Sequence, residues 1–425
     1  MAREINLNHI CKIEGHANLN LKIEKNKVKK CELQAYEGAR FFEALVLGKN
    51  TEDVQEIVSR ICGICSSSHS IAAVQGLEEA LGIKPSQKQK FIREIILLSE
   101  RIRSHATHLY FMSLPDYLGA SSAITLKKEH KQKVMDALKI ITLGNKLVEK
   151  FAGREIHPFL KIQEDLPNED FDELITKLKE TKPLILKTIK LFSGLNYQNL
   201  QRKTEHLSLK EKNHYAAISG KIKLGTETFL DDNYKRHLKE NIKEYSTSKF
   251  VLHNSNPFSL GAIARISNNH NQLDNQTKQE LNKIIKKLNL TLPFQNPYHN
   301  LICQSLELLQ ATNRAIKLLQ FPPSNSKSPI TKSQAGTGIS AVEAPRGTLF
   351  HEYKINKKGI VTYCNIITPT AQLLNMMELD IAQLVNELLK TKTSQSEIIN
   401  QIEKLIRAYD PCFSCSSHFL KVNWL

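Results

Sequence analysis

Two cysteine motifs at opposite ends of the chain constrain its fold more than any other feature. Arg-Ile-Cys-Gly-Ile-Cys places Cys62 and Cys65 three residues apart near the N-terminus, and Asp-Pro-Cys-Phe-Ser-Cys does the same for Cys412 and Cys415 near the C-terminus. Residues three apart in a helical or tight turn face the same way, so each pair can direct two sulfur atoms at one point. If the two pairs meet, the ends of the chain must fold together.

Soft thiolate ligands select nickel, copper(I), zinc or iron, and a structural zinc site of four cysteines is the simplest interpretation. Zinc ribbons hold their two cysteine pairs about 15–20 residues apart. Here almost the whole length of the 425-residue chain separates Cys65 from Cys412. A local staple explains this spacing poorly, although a zinc-stapled binding protein stays open as one alternative.

The residues around both pairs resemble the paired signatures of the large subunit of [NiFe] hydrogenases. The resemblance is carried by residues 60–69 and 410–418. Shorter matches lie between them, at residues 12–16, 38–43, 105–110, 343–347 and 366–370. The resemblance therefore covers nearly the full chain, and it looks closest to the soluble, NAD(P)-linked branch that includes the sulfhydrogenases.

The expected fold is of the α+β class and mainly helical, with a central bundle of long helices flanked by small β-hairpins. Because the two cysteine pairs must meet at one buried site, residues 1–425 are expected to form a single interlocked domain. Apolar residues at helical spacing predict long helices over 91–109, 134–148, 171–195, 298–319, 370–391 and 395–408. Alternating apolar residues predict hairpins over 17–35 and 349–368, whereas residues 203–275 show no clear pattern.

Composition excludes several classes of function. The net charge is +16, but the lysines are scattered and are not interleaved with aromatic residues, which favours a solvated surface over nucleic-acid binding. No apolar run is long enough to span a membrane. The eight cysteines suit a reducing compartment, and no signal-peptide pattern is present, so the predicted location is the cytoplasm.

A glycine-rich stretch, Gly336-Thr337-Gly338-Ile339-Ser340-Ala341, fits a dinucleotide-binding pattern. No strand is predicted before it, and Pro345 interrupts any helix after it. Since that pattern requires a strand before and a helix after, this chain is not expected to bind NAD itself.

The resemblance implies a nickel–iron centre whose iron also carries carbon monoxide and cyanide ligands. Cys62 and Cys412 match the cysteines that bind nickel alone, and Cys65 and Cys415 match those that bridge nickel to iron. The other cysteines match no ligand motif and are predicted to be small core residues; these are Cys11, Cys31, Cys303 and Cys364.

Heterolytic cleavage of dihydrogen releases a proton that needs a base. A thiolate can accept it first, a role we assign to Cys412, and a nearby carboxylate can pass it on. Glu14 resembles the proton-transfer glutamate of the family. Without the motif around it, Glu14 would be interpreted as a surface charge.

Three further residues resemble the family's canopy over the metals, namely Ala344, Pro345 and Arg346. A guanidinium stays charged and offers fixed donors to anionic groups such as bound cyanide, although a buried salt bridge is the competing interpretation for Arg346. Asp410 is expected to orient Arg346 or the cysteine turn, or simply to cap a helix. His69 is expected to donate a hydrogen bond to a bridging sulfur.

A separate Mg²⁺ or Fe²⁺ site is implied near the C-terminus. Glu43 and His418 resemble two of its ligands, and the backbone carbonyl of Ile367 or its neighbour is a third candidate. Residues 419–425 would be a tail that a maturation protease removes. Two other histidines, His105 and His108, lie three residues apart on a predicted helix and are interpreted as core residues.

The predicted function is that of the catalytic large subunit of a cytoplasmic [NiFe] hydrogenase with dihydrogen as substrate. The remaining cysteines match no ligand motif and no nucleotide motif is present, so the chain is not expected to carry electrons away. An iron–sulfur small subunit is therefore required, with diaphorase-type flavin and NAD(P) subunits beyond it. A non-catalytic relative, either a hydrogen sensor or a subunit like those of respiratory complex I, is the other alternative.

Overall fold

The computed structural model describes residues 3–35, 41–160, 170–323 and 335–417. Its strands are β1 (Arg3–Leu7), β2 (Ala17–Glu24), β3 (Lys27–Ala35), β4 (Leu207–Lys210), β5 (Lys221–Leu224), β6 (Glu227–Phe229), β7 (Leu238–Ile242), β8 (Lys249–His253), β9 (Gly336–Ala344), β10 (Gly347–Ile355) and β11 (Val361–Ile367). Its helices are α1 (Phe42–Leu45), α2 (Thr51–Ser59), α3 (Ser66–Leu81), α4 (Gln87–Thr107), α5 (Leu114–Tyr117), α6 (Lys131–Ala152), α7 (Asp172–Phe192), α8 (Tyr234–His237), α9 (Ala262–Asn269), α10 (Asn275–Leu288), α11 (Asn300–Gln320), α12 (Pro369–Lys390), α13 (Gln395–Ala408) and α14 (Phe413–Ser416).

Four long helices, α4, α6, α7 and α11, pack against one another and form the central bundle. Each carries an apolar stripe that faces its neighbours, as the helical spacing predicts. A capping box between Ser86 and Gln89 fixes the start of α4, and a π-helical turn (His108–Ser113) joins its end to α5. The mainly helical α+β class with its central bundle is therefore confirmed.

Small antiparallel sheets surround the bundle. Strands β1–β3 and β9–β11 form two three-stranded sheets, and both contain the predicted hairpins. Residues 203–275 form a third sheet, β4–β6, and a two-stranded ribbon, β7–β8. These five strands have only three to five residues each, too few for an alternating pattern to be recognised in the sequence.

Helix α3 begins directly after the first cysteine pair, and it packs closely on β9. A Cβ atom at Gly338 would collide with the carbonyl oxygen of Gly76 and the amide of Ala80, and one at Gly336 would collide with the carbonyl oxygen of Ala80. The glycines of the dinucleotide-like stretch thus lie within a strand, where they allow a helix to approach. This explains the motif without any nucleotide.

None of the helices in the described ranges is long and apolar enough to cross a membrane. The two cysteine pairs meet, as predicted. The assignment of all 425 residues to one domain stays a prediction, and the proposed tail at 419–425 lies outside the described residues.

Replacing Gly338 by alanine should lower the free energy of unfolding by about 1–3 kcal/mol, because the new methyl group must push α3 away from β9. Denaturant-induced unfolding measures the change. Thr337→Ala is the matched control, since Thr337 is the exposed neighbour on the same strand and its loss should have little effect. Equal losses in the two variants would contradict the packing argument.

Candidate metal centre

The first cysteine pair lies where α2 gives way to α3. Cys62 follows the end of α2, and Cys65 is the N-cap residue of α3. The backbone amides of Ile64 and Cys65 donate to the Cys62 sulfur at 3.3 and 3.5 Å. These two amides fix the position of the Cys62 sulfur at the start of α3.

A buried carboxylate fixes the start of α3. Glu100, on the bundle helix α4, accepts from the amide of Ser67 at 2.7 Å and from that of Ser68 at 3.1 Å. Arg103, on the same helix, donates to the carbonyl oxygen of Ile64 at 3.1 Å. Neither residue was predicted; the only signal was a group of charged residues on the buried side of an amphipathic helix.

The second pair is tied to the N-terminal part of the chain by its backbone. Phe413 donates its amide to the carbonyl oxygen of Glu14 at 2.9 Å, and Thr370, on α12, accepts from the Cys412 amide at 2.8 Å. Gly15 adopts a φ of 79°, and a Cβ atom there would collide with the amide of Ser414. Glycine is therefore required where the two chain ends cross.

The four sulfur atoms lie within 4.8 Å of one another. Cys65 Sγ is 3.2 Å from Cys415 Sγ, Cys62 Sγ is 3.5 Å from Cys412 Sγ, and the sulfurs of Cys412 and Cys415 are within disulfide-bonding distance. All four side chains are at most 6% exposed. A hydrogen bond with Cys62, together with burial, raises the pKa of the Cys65 thiol well above its ordinary value. Metal ions would offset the cost of four buried thiolates, so the donor set fits a soft-metal centre.

Arg346 is the buried cation beside this centre. It lies in the two-residue turn between β9 and β10, and its Nε donates to the Oδ1 and the carbonyl oxygen of Asp410 at 3.0 and 2.9 Å. Burial by itself would lower the pKa of Arg346, but the charges of Asp410, Cys65 and Cys62 raise it. Both Nη atoms are buried and have no hydrogen-bond partner within the described ranges. Such donors fit an anionic group that would lie between Arg346 and the sulfurs.

The turn that carries Arg346 is held by a buried arginine that the sequence did not single out. Arg265, on α9, donates to the carbonyl oxygens of Ala344 and Pro345 at 2.9 and 2.8 Å. It also forms ion pairs with Glu307 at 2.6 Å and with Glu343 at 2.9 Å. Burial alone would raise the pKa of Glu307, but the charge and hydrogen bonds of Arg265 hold it well below its usual range.

Glu14 lies directly against the second cysteine pair. Its Oε2 is 2.9 Å from Cys412 Sγ and 3.3 Å from the amide of Ser414, whose hydroxyl donates to Oε1. Glu14 is half-buried, so its carboxylate lies between the buried sulfur and the surface of the chain. The position suits the predicted proton transfer and does not suit an isolated surface charge.

His69 lies in the first turns of α3 and faces a second histidine. Its Nδ1 is 3.1 Å from His351 Nε2, and His351 Nδ1 is 2.7 Å from the hydroxyl of Tyr353. All three side chains are buried. The predicted hydrogen bond from His69 to a bridging sulfur stays a prediction.

Glu43 lies on α1, beside β11. Its Oε1 accepts from Lys249 Nζ and from the amide of Ile366, both at 2.7 Å. Burial raises the pKa of Glu43, and the Lys249 charge acts against that shift. Ile367 follows Ile366 at the end of β11, while His418 lies outside the described residues. The carboxylate and the neighbouring carbonyls are oxygen ligands that suit Mg²⁺, and the site stays a prediction.

The two histidines that were interpreted as core residues have structural partners. His105 Nε2 is 2.7 Å from Glu307, and burial lowers the pKa of His105 to about 4. His108 contacts Gln304 at 2.6 Å and the carbonyl oxygen of Arg407 at 2.7 Å.

Of the cysteines outside the quartet, Cys303 and Cys364 are buried, as predicted, and Cys31 is partly buried. The prediction was wrong for Cys11, which is exposed in the loop between β1 and β2 rather than packed in a helix or strand.

Comparison with known proteins places this geometry in a family. A family model described as nickel-dependent hydrogenase matches residues 40–152 and 149–418. The alpha subunit of sulfhydrogenase 1 from Pyrococcus furiosus is 34% identical over 98% of this chain and 98% of its own length. The alpha subunit of sulfhydrogenase 2 from the same organism is 31% identical over 98% and 100%.

The fold is also found among solved structures. The crystal structure of an NAD⁺-reducing [NiFe]-hydrogenase in the H2-reduced state matches with a TM-score of 0.87, at 21% identity, over 98% of this chain and 99% of that chain. A structure of the [NiFeSe]-hydrogenase from Dm. baculatum matches with a TM-score of 0.78 at 19% identity, over 98% and 100%. At these identities the likeness shows the fold.

Replacing Arg265 by methionine should lower the free energy of unfolding by about 3–5 kcal/mol, because Glu307 and Glu343 would remain buried without their cation. Denaturant-induced unfolding measures the loss. Arg236→Met removes an exposed arginine and should change stability little. A loss no larger than that of the control would contradict the role given to this buried network.

Proposed function

This chain belongs to the nickel-dependent hydrogenase family, and we propose that it is the catalytic large subunit of an enzyme that reversibly cleaves dihydrogen into protons and electrons. One observation supports the proposal above all others. Four buried sulfur atoms converge beside the two Nη atoms of Arg346, which have no hydrogen-bond partner among the described residues, so the pocket combines soft ligands for metals with donors for an anion.

Each of the four cysteines has a proposed role as a metal ligand. We propose that Cys62 and Cys412 would hold nickel, that Cys65 and Cys415 would be shared by nickel and iron, and that the iron would also carry carbon monoxide and cyanide. When bound, such a centre supplies the site at which dihydrogen is split heterolytically. Arg346, oriented by Asp410 and carried in the turn that follows Ala344, would donate its Nη–H groups to the anionic ligands of the iron.

The side chains of the protein would carry the released proton away from the metal centre. A proton on Cys412 Sγ has the Glu14 carboxylate 2.9 Å away, within direct transfer distance. The Ser414 hydroxyl and amide hold that carboxylate in place. Because Glu14 is half-buried, it can release the proton toward the surface of the chain or toward a partner subunit.

The partners are proposed from the relatives. Two of them are named alpha subunits of sulfhydrogenases, and the solved NAD⁺-reducing hydrogenase has the same fold. We propose an iron–sulfur small subunit that receives the electrons, and diaphorase-type flavin subunits that pass them to NAD(P). The cytoplasmic location, the Mg²⁺ site at Glu43 and His418, and cleavage after His418 by a maturation protease stay predictions.

Two other functions make different predictions. A zinc-stapled protein would contain zinc and no nickel, and its Arg346 donors would face no anion. A hydrogen sensor or another non-catalytic relative would hold the nickel–iron centre without sustained turnover. The four cysteines together argue against a subunit of the complex I type, which lacks them.

The infrared spectrum of the complex purified from its native host tests the metal centre. We expect absorption bands of metal-bound carbon monoxide and cyanide, together with nickel, and with iron in excess of nickel because the small subunit would carry iron–sulfur clusters. Cys65→Ser should abolish the bands, because a sulfur ligand of both metals is lost. Cys11→Ser should preserve them, because Cys11 is exposed and is not one of the four proposed ligands. A spectrum without such bands on protein that contains stoichiometric zinc would reject the proposal.

Replacing Glu14 by glutamine should lower the turnover of dihydrogen oxidation by a factor on the order of 10²–10⁴, because the amide cannot accept the proton from Cys412. The infrared bands should stay, since Glu14 is not a proposed ligand. Glu4→Gln, an exposed carboxylate on β1, is the control and should retain full turnover. Wild-type turnover in the Glu14 variant would show that the proton leaves by another route.

A further inference from the structure

A second cluster of metal-ligating side chains lies in the short strands of residues 203–275. Among the described residues, Glu227, His237 and His253 each offer one ligand atom, and these atoms lie within 4.8 Å of one another. Glu227 begins β6, His237 ends α8 and His253 ends β8. The cluster therefore joins the β4–β6 sheet to the β7–β8 ribbon, and its residues are distinct from the cysteine quartet.

The hydrogen bonds of His253 prepare one nitrogen for a metal. Its Nδ1 is 2.9 Å from a carboxylate oxygen of Glu205, which requires a proton on Nδ1. The side-chain amide of Asn254 donates to Nε2 at 3.0 Å, so Nε2 carries a lone pair. A carboxylate on the far nitrogen is the usual support of a metal-binding histidine, since it fixes the tautomer and raises the basicity of the ligand.

The remaining contact at Nε2 brings two electron-rich atoms together. Glu227 Oε2 lies 3.4 Å from His253 Nε2, and the same oxygen is 2.8 Å from His237 Nδ1. A lone pair facing a carboxylate is repulsive unless a cation lies between them or the ring is protonated. The exposed Asn254 amide can rotate away and leave the nitrogen to a metal ion.

The two imidazole rings are held in position before any metal binds. His237 stacks on Phe229 with ring centroids 3.7 Å apart and an interplanar angle of 7°. His253 is 3% exposed and is fixed by a tight turn, in which it exchanges backbone hydrogen bonds with Asn256 at 2.9 and 2.8 Å. Fixed ligands lose little conformational entropy on binding.

We propose that Glu227, His237 and His253 bind a divalent transition-metal ion of the zinc type, with Glu205 as the positioning residue behind His253. Two imidazole nitrogens and one carboxylate oxygen are a ligand set that suits zinc and leaves a fourth position for water. The side chains of His237 and Glu227 are 27% and 41% exposed, so the ion can enter from solvent. The bound ion would cross-link the β4–β6 sheet to the β7–β8 ribbon.

Titration with Zn²⁺ tests the site on the complex that contains the full chain, after dialysis against a chelator. We expect the wild-type protein to bind one Zn²⁺ that His237→Gln and Glu227→Gln do not bind. Co²⁺ in the same place should give visible absorption without the sulfur-to-cobalt charge-transfer band of cysteine ligands. Glu205→Gln should keep the stoichiometry but bind about 10–100-fold more weakly, because the support of His253 is weakened.

His130→Gln is the matched control, because His130 forms a surface pair with Glu129 at 3.3 Å and is not a member of this cluster. It should bind Zn²⁺ like the wild type. The melting temperatures of the metal-free variants report whether each has folded. Zn²⁺ should raise the melting temperature of the wild type and the control, should raise that of Glu205→Gln only at higher concentration, and should not raise that of His237→Gln or Glu227→Gln. The same stoichiometry in all proteins, or a cobalt spectrum dominated by sulfur, would overturn the proposal and leave an ion-paired histidine cluster.

Discussion

The mutual repulsion of four buried thiolates is the constraint on which this structure depends. The sulfurs come from both ends of the chain, and Arg346 lies beside them as a buried cation. One guanidinium cannot compensate four negative charges at low dielectric, so the arrangement is complete only with metal ions. The protein therefore has to bring the chain ends together by contacts that do not involve the sulfurs.

Those contacts are hydrogen bonds of the backbone and of neutral or paired side chains. The Glu14 carbonyl holds the amide of Phe413, Thr370 holds the amide of Cys412, and Glu100 holds the start of α3 from the bundle. Each partner belongs to a different element, so the geometry of the quartet is set by the packing of the whole chain. A site held in this way can keep its geometry while metal is being inserted, because groups other than the four sulfurs hold the cysteines in position.

The sequence predicts what depends on local pattern. Apolar stripes of about twenty residues identify the bundle helices, and the motifs around Cys62 and Cys412 identify the site. Residues whose partners are distant in the chain escape such reasoning. Arg265 is an ordinary residue of a short helix until the fold brings Glu307 and Glu343 to it, and the strands of residues 203–275 are too short to show an alternation. Gly338 illustrates the reverse case. Its sequence pattern suggests dinucleotide binding, but in the structure the missing side chain allows α3 to pack closely on β9.

The proposed zinc-type site and the metal centre are linked through the same small sheets. Leu209, on β4, donates its amide to Glu343 at 2.6 Å, and Glu343 holds Arg265, which holds the turn that carries Arg346. The β4–β6 sheet thus braces the residue that faces the sulfurs. A metal ion on Glu227 and His253 would tie this sheet to the β7–β8 ribbon, in which Lys249, at the start of β8, pairs with Glu43. A sheet of strands this short gains more from one cross-link than a long one does, because fewer ladder hydrogen bonds hold it. The ion would therefore stiffen the support of the catalytic pocket from a distance without touching the reacting atoms.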